Sequence, residues 1–525
     1  VALAVGLAAL VALPVLVVAA NLAVPTEGVW THLAETVLGT YVANSLWLML
    51  GVGLGVSVGG VGTAWLVTMC RFPGSRPLEW ALLLPMAMPA YVVAYTYTGL
   101  LDFAGPAQSS LRALFGWKSA RDYWFPEVRS LGGAVWVMTM VLYPYVYMMA
   151  RAAFLEQSVC VLEAARTLGR GPWRAFVQVA LPLARPAVVA GVALALMETL
   201  NDFGTVHYFA VDTFTTGIYR TWLGLGQPAA AAQLGAVLML FVLTLVLAER
   251  WSRGAARFHH TTGRYRRLPQ LELGGWRAAA ALVFSALPLV LGFLVPGAML
   301  AAWVWQGAEL AGLGGLGGNS LILAGLAGAA AVAVALPLAY AQRLRPTPLV
   351  RACVRAASLG YAIPGSVIAV GIMVPLTAID RALGGLYLTG TVFALTYAYL
   401  VRFLAVSVGA VESSLGRITP SMEAAARTLG AGLGKVLRRV HIPMMRSSLL
   451  SAALLVFVDV MKELPATLLM RPFNFDTLAT RTFTLASDER LADAAAPALA
   501  IVAAGLLPVM LLSRAIARSR PGGEE

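Results

Sequence analysis

The sequence predicts an all-α polytopic membrane protein with about twelve transmembrane helices, arranged as two parallel six-helix repeats. Three observations carry that expectation. The 525 residues are 59% hydrophobic and only 12% charged, whereas about a quarter of a soluble domain is charged. The apolar residues gather into twelve runs, each near the ~20 residues needed to cross hydrocarbon. Short motifs then recur at a fixed spacing between the two halves.

In chain order, the run at 2–23 lacks a basic leader and a cleavage cue, so it is read as a spanning helix rather than a signal peptide. The chain begins at Val1 and not Met, so further N-terminal residues are expected before it. The second run, 44–69, opens on Asn44-Ser45-Leu46, and the third, 79–101, contains Met88-Pro89. The fourth, 131–154, carries Tyr143, Tyr145 and Tyr147, and the fifth, 185–206, carries Glu198 and Asp202. The run at 229–249 closes the first half. In the second half the runs are 278–304, 319–342, 354–378, 390–411, 447–467 and 493–513. Asn319-Ser320-Leu321 and Ile363-Pro364 repeat the earlier motifs 275 positions on. Later motifs repeat at 261, so a 14-residue deletion is placed in the loop after the third span, where 102–130 shrinks to about 379–389. The expected organisation is a first half at 1–249, a linker at 250–277 and a second half at 278–525. Parallel halves of this kind are related by an axis along the membrane normal.

The net charge is +13, but the cations are scattered among loops between apolar spans, which speaks for a membrane and lipid contacts rather than nucleic acid. With both termini cytoplasmic, the inner loops and tail hold 28 of the 38 Lys and Arg residues, including the whole of 402–446. That bias fixes the orientation. Cys70, Cys160 and Cys353 show no pairing spacing and read as reduced thiols. The adjacent His259 and His260 lack a third ligand nearby and read as part of a basic, lipid-facing linker.

The most informative polar stretch is EAARTLGRGPWRAFVQVALP, Glu163 to Pro182, and a second copy, EAAARTLGAGLGKVLRRVHIP, runs from Glu423 to Pro443. Gly169 matches Gly430, Pro182 matches Pro443 and Arg166 matches Arg427, all at a spacing of 261. Glu163, Ala164 and Ala165 favour a helix, and Gly169 can stop it in the left-handed region. A second short helix from about Trp173 to Ala180 is expected to end at Pro182. The small Ala face would let another protein approach closely.

This stretch resembles the EAA loop of ABC-importer permeases: Glu-Ala-Ala, three residues, Gly, nine residues, then an aliphatic-x-Leu-Pro ending. Glu163, Ala164, Ala165, Gly169, Val179, Leu181 and Pro182 fit it. In the second copy Glu423 lies one residue early, so Ala424 takes its place, and Ile442 replaces Leu. The loops are bounded at 156–184 and 412–446. The resemblance implies that Glu163, Ala164, Ala165, Arg166 and Gly169, with Glu423, Ala424, Ala425, Arg427 and Gly430, form coupling helices that dock into an ATPase subunit.

Four acids fall near the outer ends of the fifth and eleventh runs. Asp459 and Glu463 lie 261 positions after Glu198 and Asp202. Within each pair the spacing is i, i+4, so each pair is expected to share one helical face. Intramembrane carboxylates are costly and suit a hard cation, so these four are candidates for a substrate path. Structural pairing, such as Asp459 with Lys462, is the open alternative. The tyrosines around Pro144 are expected to serve packing rather than ferric-phenolate binding, since alternate residues point to different faces. Pro89, Pro144, Pro364 and Pro465 are expected to kink spans. Gly434-Lys435 is followed by Val436 where a phosphate loop needs Ser or Thr, so no nucleotide site is read here. No HExxH occurs either, so the chain is not expected to be an enzyme or to carry a permanent metal or cofactor.

Type I permease likeness covers about 40–515. Within that group the segments YPYVYMMAR (143–151), LNDFGTVHYF (200–209), DTFTTGIYRTWLGLG (212–226) and KELPATLLMRPFNFDTLATRTF (462–483) look like the fused ferric-iron permeases. The resemblance implies a bacterial inner-membrane subunit that imports ferric iron. Its implied partners are a periplasmic iron-binding protein and two copies of an ATPase subunit carrying ATP and magnesium. Fused permeases for thiamine, sulfate-like anions or phosphonates share the plan. A proton-coupled secondary transporter is the reading from another class, and it has no need of paired EAA loops.

Overall fold

The computed structural model describes residues 1–26, 28–156, 171–253, 270–307, 312–385, 387–416 and 418–518. The protein is an all-α polytopic membrane protein. Among the described residues ten helices are long and apolar enough to cross a membrane: Ala2–Ala23, Leu38–Met69, Leu131–Leu155, Trp173–Asn201, Pro228–Ser252, Gly275–Trp305, Leu313–Leu344, Gly365–Leu383, Val392–Gly416 and Leu433–Met461. The third expected run is not a straight span. It is a bent pair, Ser75–Ala87 and Ala90–Phe115, turning by 92°. The twelfth is the helix Ala495–Arg518, whose apolar part is Ala495–Leu506.

The described residues divide into two compact units that interleave the sequence halves. One holds Val1–His32, Gly217–Met239 and Ala311–Arg481; the other holds Leu33–Thr216, Leu240–Leu310 and Thr482–Glu525. In the first unit, helix Ala2–Ala20 lies against Leu313–Leu344, Pro348–Ala357 and Gly365–Leu383. A Cβ on Gly371 would come within 2.3 Å of the Pro14 carbonyl, so only glycine permits that crossing. In the second unit, the helical stretch Gly275–Trp305 lies against Leu38–Met69, Ala90–Leu101 and the helix from Ala495. Each repeat's opening helix is thus a cover for helices of the other repeat's sequence.

Prolines release backbone carbonyls inside these units, and tyrosine hydroxyls take them up. Pro14 has no N–H for the Leu10 carbonyl, and Tyr397 donates to that oxygen at 2.6 Å. Before Pro296 the helix widens into a π-turn at Val290–Leu294, where the Val295 N–H goes to the Val290 carbonyl. The skipped Leu291 carbonyl accepts from Tyr97 at 2.7 Å. Around Pro85 the backbone tightens into 3-10 turns, with the Leu83 N–H on Trp80 and the Met86 N–H on Leu83. The bypassed carbonyls of Glu79 and Leu82 accept from Tyr147 at 2.7 Å and Tyr143 at 2.9 Å.

Pro89 and Pro364 each precede the first residue of a helix, and Pro465 occupies the first turn of Pro465–Met470. Only Pro144, of the four prolines expected to kink spans, lies inside a long helix. The repeated asparagines perform one task twice: Asn44 donates to the Asp212 carbonyl and Asn319 to the Asp476 carbonyl, each at 2.9 Å. Among the described residues one sheet occurs, a parallel pairing of Cys70–Arg71 with Leu271–Glu272. It ties the far end of the linker to the end of helix Leu38–Met69. Burial there pushes the Cys70 thiol up to about 11, which keeps it protonated and inert.

Leu38–Met69 also crosses Leu131–Glu156 closely, where a Cβ on Gly60 would lie 2.6 Å from Val146 Cβ and 2.8 Å from the Tyr147 nitrogen. Gly60→Val is expected to destabilise the protein by at least ~1–3 kcal/mol through overpacking. Gly53→Ala, whose nearest neighbour is a Leu196 methyl at 3.5 Å, is expected to be neutral. Thermal unfolding of the two detergent-purified variants checks both outcomes.

Candidate functional site

The second EAA loop is a helix, a left-handed stop and a return arm. Helix Pro420–Thr428 follows Thr419, and Gly430 sits at φ +80°. The Gly430 N–H donates to the Arg427 carbonyl at 3.0 Å and the Ala431 N–H to Ala426 at 3.1 Å. Glycine adopts this conformation without a Cβ penalty, which closes the helix end. Ala424, Ala425, Arg427 and Gly430 are exposed. So are Met422 and Leu433, and Leu429 at the tip is 88% exposed. A small-residue face flanked by bare apolar side chains is a surface on which another protein can close.

Glu423 is turned the other way. Its side chain is 11% exposed and accepts from Arg343 Nε at 3.3 Å and Arg427 Nη2 at 2.6 Å, with His441 Nε2 at 3.9 Å. Sequence reasoning missed Arg343 and His441. The position matching Arg343 in the first half is Thr68, and the one matching His441 is Ala180, so the repeat itself gave no signal. Glu163, Ala164, Ala165, Arg166 and Gly169 of the first loop lie outside the described residues, as do Cys160, His259 and His260.

The return arms differ from expectation in one respect. Pro182 and Pro443 do not end a helix. Pro172–Ala175 runs through a π-turn, Phe176–Ala180, straight into Leu181–Asn201. Leu433–Val436 does the same through Leu437–His441 into Ile442–Met461. The Leu181 N–H reaches back to Phe176 and the Ile442 N–H to Leu437, five residues each. One residue N-terminal to a proline, the helix widens by one residue and so accommodates the ring instead of breaking. In the first half this arm is pinned by aromatic packing: Phe176 lies 4.5 Å from Trp65 and 6.3 Å from Phe154, ring centre to ring centre.

The acidic pairs do not lie along continuous helices. Helix Leu181–Asn201 stops before Asp202, and Ile442–Met461 stops before Lys462. Asp202 accepts from the N–H groups of Thr205 and Val206 at 3.0 and 3.1 Å and from the Thr205 hydroxyl at 2.9 Å. Glu463 accepts from the N–H groups of Ala466 and Thr467 at 2.9 and 3.1 Å. Each acid therefore starts the next short helix, Gly204–Tyr208 or Pro465–Met470, by satisfying its free donors. The shared-face expectation is corrected on this ground: an acid that caps the following turn leaves the preceding helix.

The two halves then diverge. Glu463 is paired with Arg402 at 3.0 Å, the side chains 1% and 8% exposed, and Asp459 is paired with Lys462 at 3.1 Å. Arg402 lies within helix Val392–Gly416 and not in a loop, which corrects its place in the orientation count. Asp202 has only neutral donors as partners among the described residues, and Glu198 stands half-buried one turn before it. Tyr143 and Tyr147 are buried, with their hydroxyls on backbone carbonyls, so they serve packing. Among the described residues no group of three or more His, Cys, Asp or Glu side chains could hold a metal ion.

Removing one member of the Arg402–Glu463 pair strands the other in an apolar interior. Arg402→Met is expected to cost ~3–5 kcal/mol, and Arg402→Met with Glu463→Gln to recover most of it. Denaturation midpoints of the single and double variants decide this.

Comparison with known proteins agrees with this geometry. Residues 3–252 match the family described as binding-protein-dependent transport system inner membrane component. An Fe(3+)-transport system permease protein of Haemophilus influenzae is 28% identical over 481 residues, covering 90% of this chain and 89% of its own. A ferric transport system permease protein of Actinobacillus pleuropneumoniae is 24% identical over 446 residues, 81% of this chain and 64% of its own. A molybdenum transport system permease protein of Escherichia coli is 29% identical over 198 residues, 37% of this chain and 83% of its own. With its matched first half, its repeated second half and a relative aligned along nearly its full length, the chain is similar to the binding-protein-dependent inner-membrane components, which supports an ABC-importer permease.

Proposed function

We propose that this permease imports ferric iron, handed to it by a periplasmic iron-binding protein and driven by two copies of a separate ATPase subunit. The observation that carries the substrate is the extent of likeness. The Fe(3+)-transport relative covers 90% of the chain and both repeats, while the molybdenum relative covers 37%. The chain is a multi-pass inner-membrane subunit with both termini in the cytoplasm, as the bias of Lys and Arg supports. It performs no hydrolysis itself; ATP and magnesium belong to the ATPase subunit.

In this reading the exposed residues Met422, Leu429 and Leu433 are buried when the ATPase subunit docks, and the loop at 156–184 takes the second copy. ATP binding closes the ATPase dimer. The closed dimer favours one arrangement of the two loops, and that preference shifts the population between inward and outward access. Glu198 and Asp202 supply the carboxylates that a ferric ion meets. Asp459 and Glu463 carry their charge already neutralised and hold the second repeat in shape.

Two measurements test this. ATP hydrolysis by the reconstituted complex is expected to rise several-fold with iron-loaded binding protein and to stay at its basal rate with iron-free or thiamine-loaded protein. Equal stimulation by all three would remove the substrate assignment. Asp202→Asn keeps a cap acceptor and loses the charge. Combined with Glu198→Gln, it is expected to slow radioactive iron uptake at least tenfold at an unchanged melting temperature. Undiminished uptake would take these acids out of the path.

A further inference from the structure

Helix Leu313–Leu344 ends in two side chains that hold both arms of the second loop. Arg343 donates through Nε to Glu423, through Nη1 to the Leu415 carbonyl, and through Nη2 to the Ile418 carbonyl at 2.7 Å. Leu415 closes helix Val392–Gly416 and Ile418 leads into the coupling helix, so one guanidinium fastens the whole entry arm. One turn earlier, the Tyr340 hydroxyl donates to the Leu433 carbonyl at 3.3 Å on the return arm. Its ring meets the fully buried His441 edge-on at 5.3 Å, and His441 faces Glu423. A rigid planar donor that spends its N–H groups on three separate acceptors fixes their mutual position more firmly than a flexible ammonium can.

The matching positions of the first half carry different residues. The residue matching Arg343 is Thr68, and the residue matching Tyr340 is Trp65, which packs on Phe154 and Phe176 instead. The glutamate also differs between the copies, since Glu423 stands one residue earlier than Glu163 relative to the glycine. At that shifted position its carboxylate meets Arg343, and Ala424 stands where the first copy has glutamate.

We infer that Arg343 and Glu423 form a clamp that makes the second coupling helix a rigid extension of helix Leu313–Leu344, so that Glu423 is a positioning residue rather than a docking contact. The inference rests on the coupling role proposed above for this loop. Force applied at Leu429 then passes into helix Leu313–Leu344 through the hydrogen bonds of Arg343, whereas the described return arm of the first loop packs Phe176 against Trp65 and Phe154. The two ATPase copies act on unequal levers.

The test has two arms, so the clamp and the coupling reading can fail separately. In inverted vesicles holding the full-length chain without its ATPase subunit, trypsin is given access to Arg427, Lys435, Arg438 and Arg439. Arg343→Met and Glu423→Gln are each expected to accelerate cleavage there at least tenfold. The double variant should be no faster than the faster single, because both remove one interaction. Arg343→Lys, which keeps the charge and loses the fork, should fall between, and Arg345→Met, an exposed neighbour, should match wild type. Cleavage within twofold of wild type in both single variants, or multiplied effects in the double, overturns the clamp.

In the second arm the ATPase subunit and loaded binding protein are added. Stimulated over basal hydrolysis is expected to fall at least fivefold in Arg343→Met and Glu423→Gln, with the subunit still bound. Loss of subunit binding in Glu423→Gln with wild-type trypsin resistance would make Glu423 a docking residue and overturn the inference. Faster cleavage in the variants together with a wild-type chain that never binds an ATPase subunit would leave the clamp standing and remove the coupling reading.

Discussion

A backbone carbonyl in hydrocarbon has no water to accept from, and this constraint shapes the protein more than any other. Each proline inside an apolar stretch removes one donor. The structure answers in two ways. Tyr397, Tyr97, Tyr143 and Tyr147 donate to the carbonyls of Leu10, Leu291, Leu82 and Glu79. The helix also widens into a π-turn ahead of Pro182, Pro443 and Pro296, and at the last of these Tyr97 takes up the skipped carbonyl. Irregular backbone in these stretches is thereby given donors for the carbonyls of Leu10, Leu291, Leu82 and Glu79. The protein places its irregularities where spans break: around Pro85 and Pro89, at Asp202, and at Lys462–Glu463.

The same logic explains the acids. A helix that stops in apolar surroundings exposes the N–H groups of whatever follows, and Asp202 and Glu463 satisfy those groups at equivalent places in the two repeats. The repeats share this architecture and differ in charge. Arg402 neutralises Glu463, and its first-half counterpart is Val141. A duplicated scaffold has thus kept its backbone devices and let its electrostatics drift apart, with neutral donors on Asp202 and a cation on Glu463. The EAA loops differ in the same way, with an ion network in the second and ring packing on the described return arm of the first.

Features governed by local spacing were legible in the sequence. Span positions follow from the length of apolar runs, and the left-handed stop at Gly430 follows from glycine after a helix-forming segment. The Asn44 and Asn319 repeat pointed to one role performed twice, and the structure gives it identical geometry. Features governed by competition between distant groups were not legible. The i, i+4 spacing of Glu198 and Asp202 assumes an unbroken helix, and only the capping of the next turn breaks it. Arg402 looks like a loop cation because its partner lies 61 residues away. Arg343 lies 80 residues from Glu423 and has no cation at its repeat position. Helix Ala2–Ala20 belongs to the first repeat by sequence, yet it packs within the unit that holds most of the second.

The central claim is that one chain offers two grips to two copies of one ATPase subunit. The direct measurement is the native mass of the detergent-solubilised complex, combined with crosslinking from single cysteines placed at Trp173 and Gly434, exposed residues at matching positions of the two loops. The account predicts one permease chain to two ATPase subunits, with each cysteine crosslinking to the same site on the subunit. A complex with one ATPase subunit, or crosslinks confined to one loop, would contradict it.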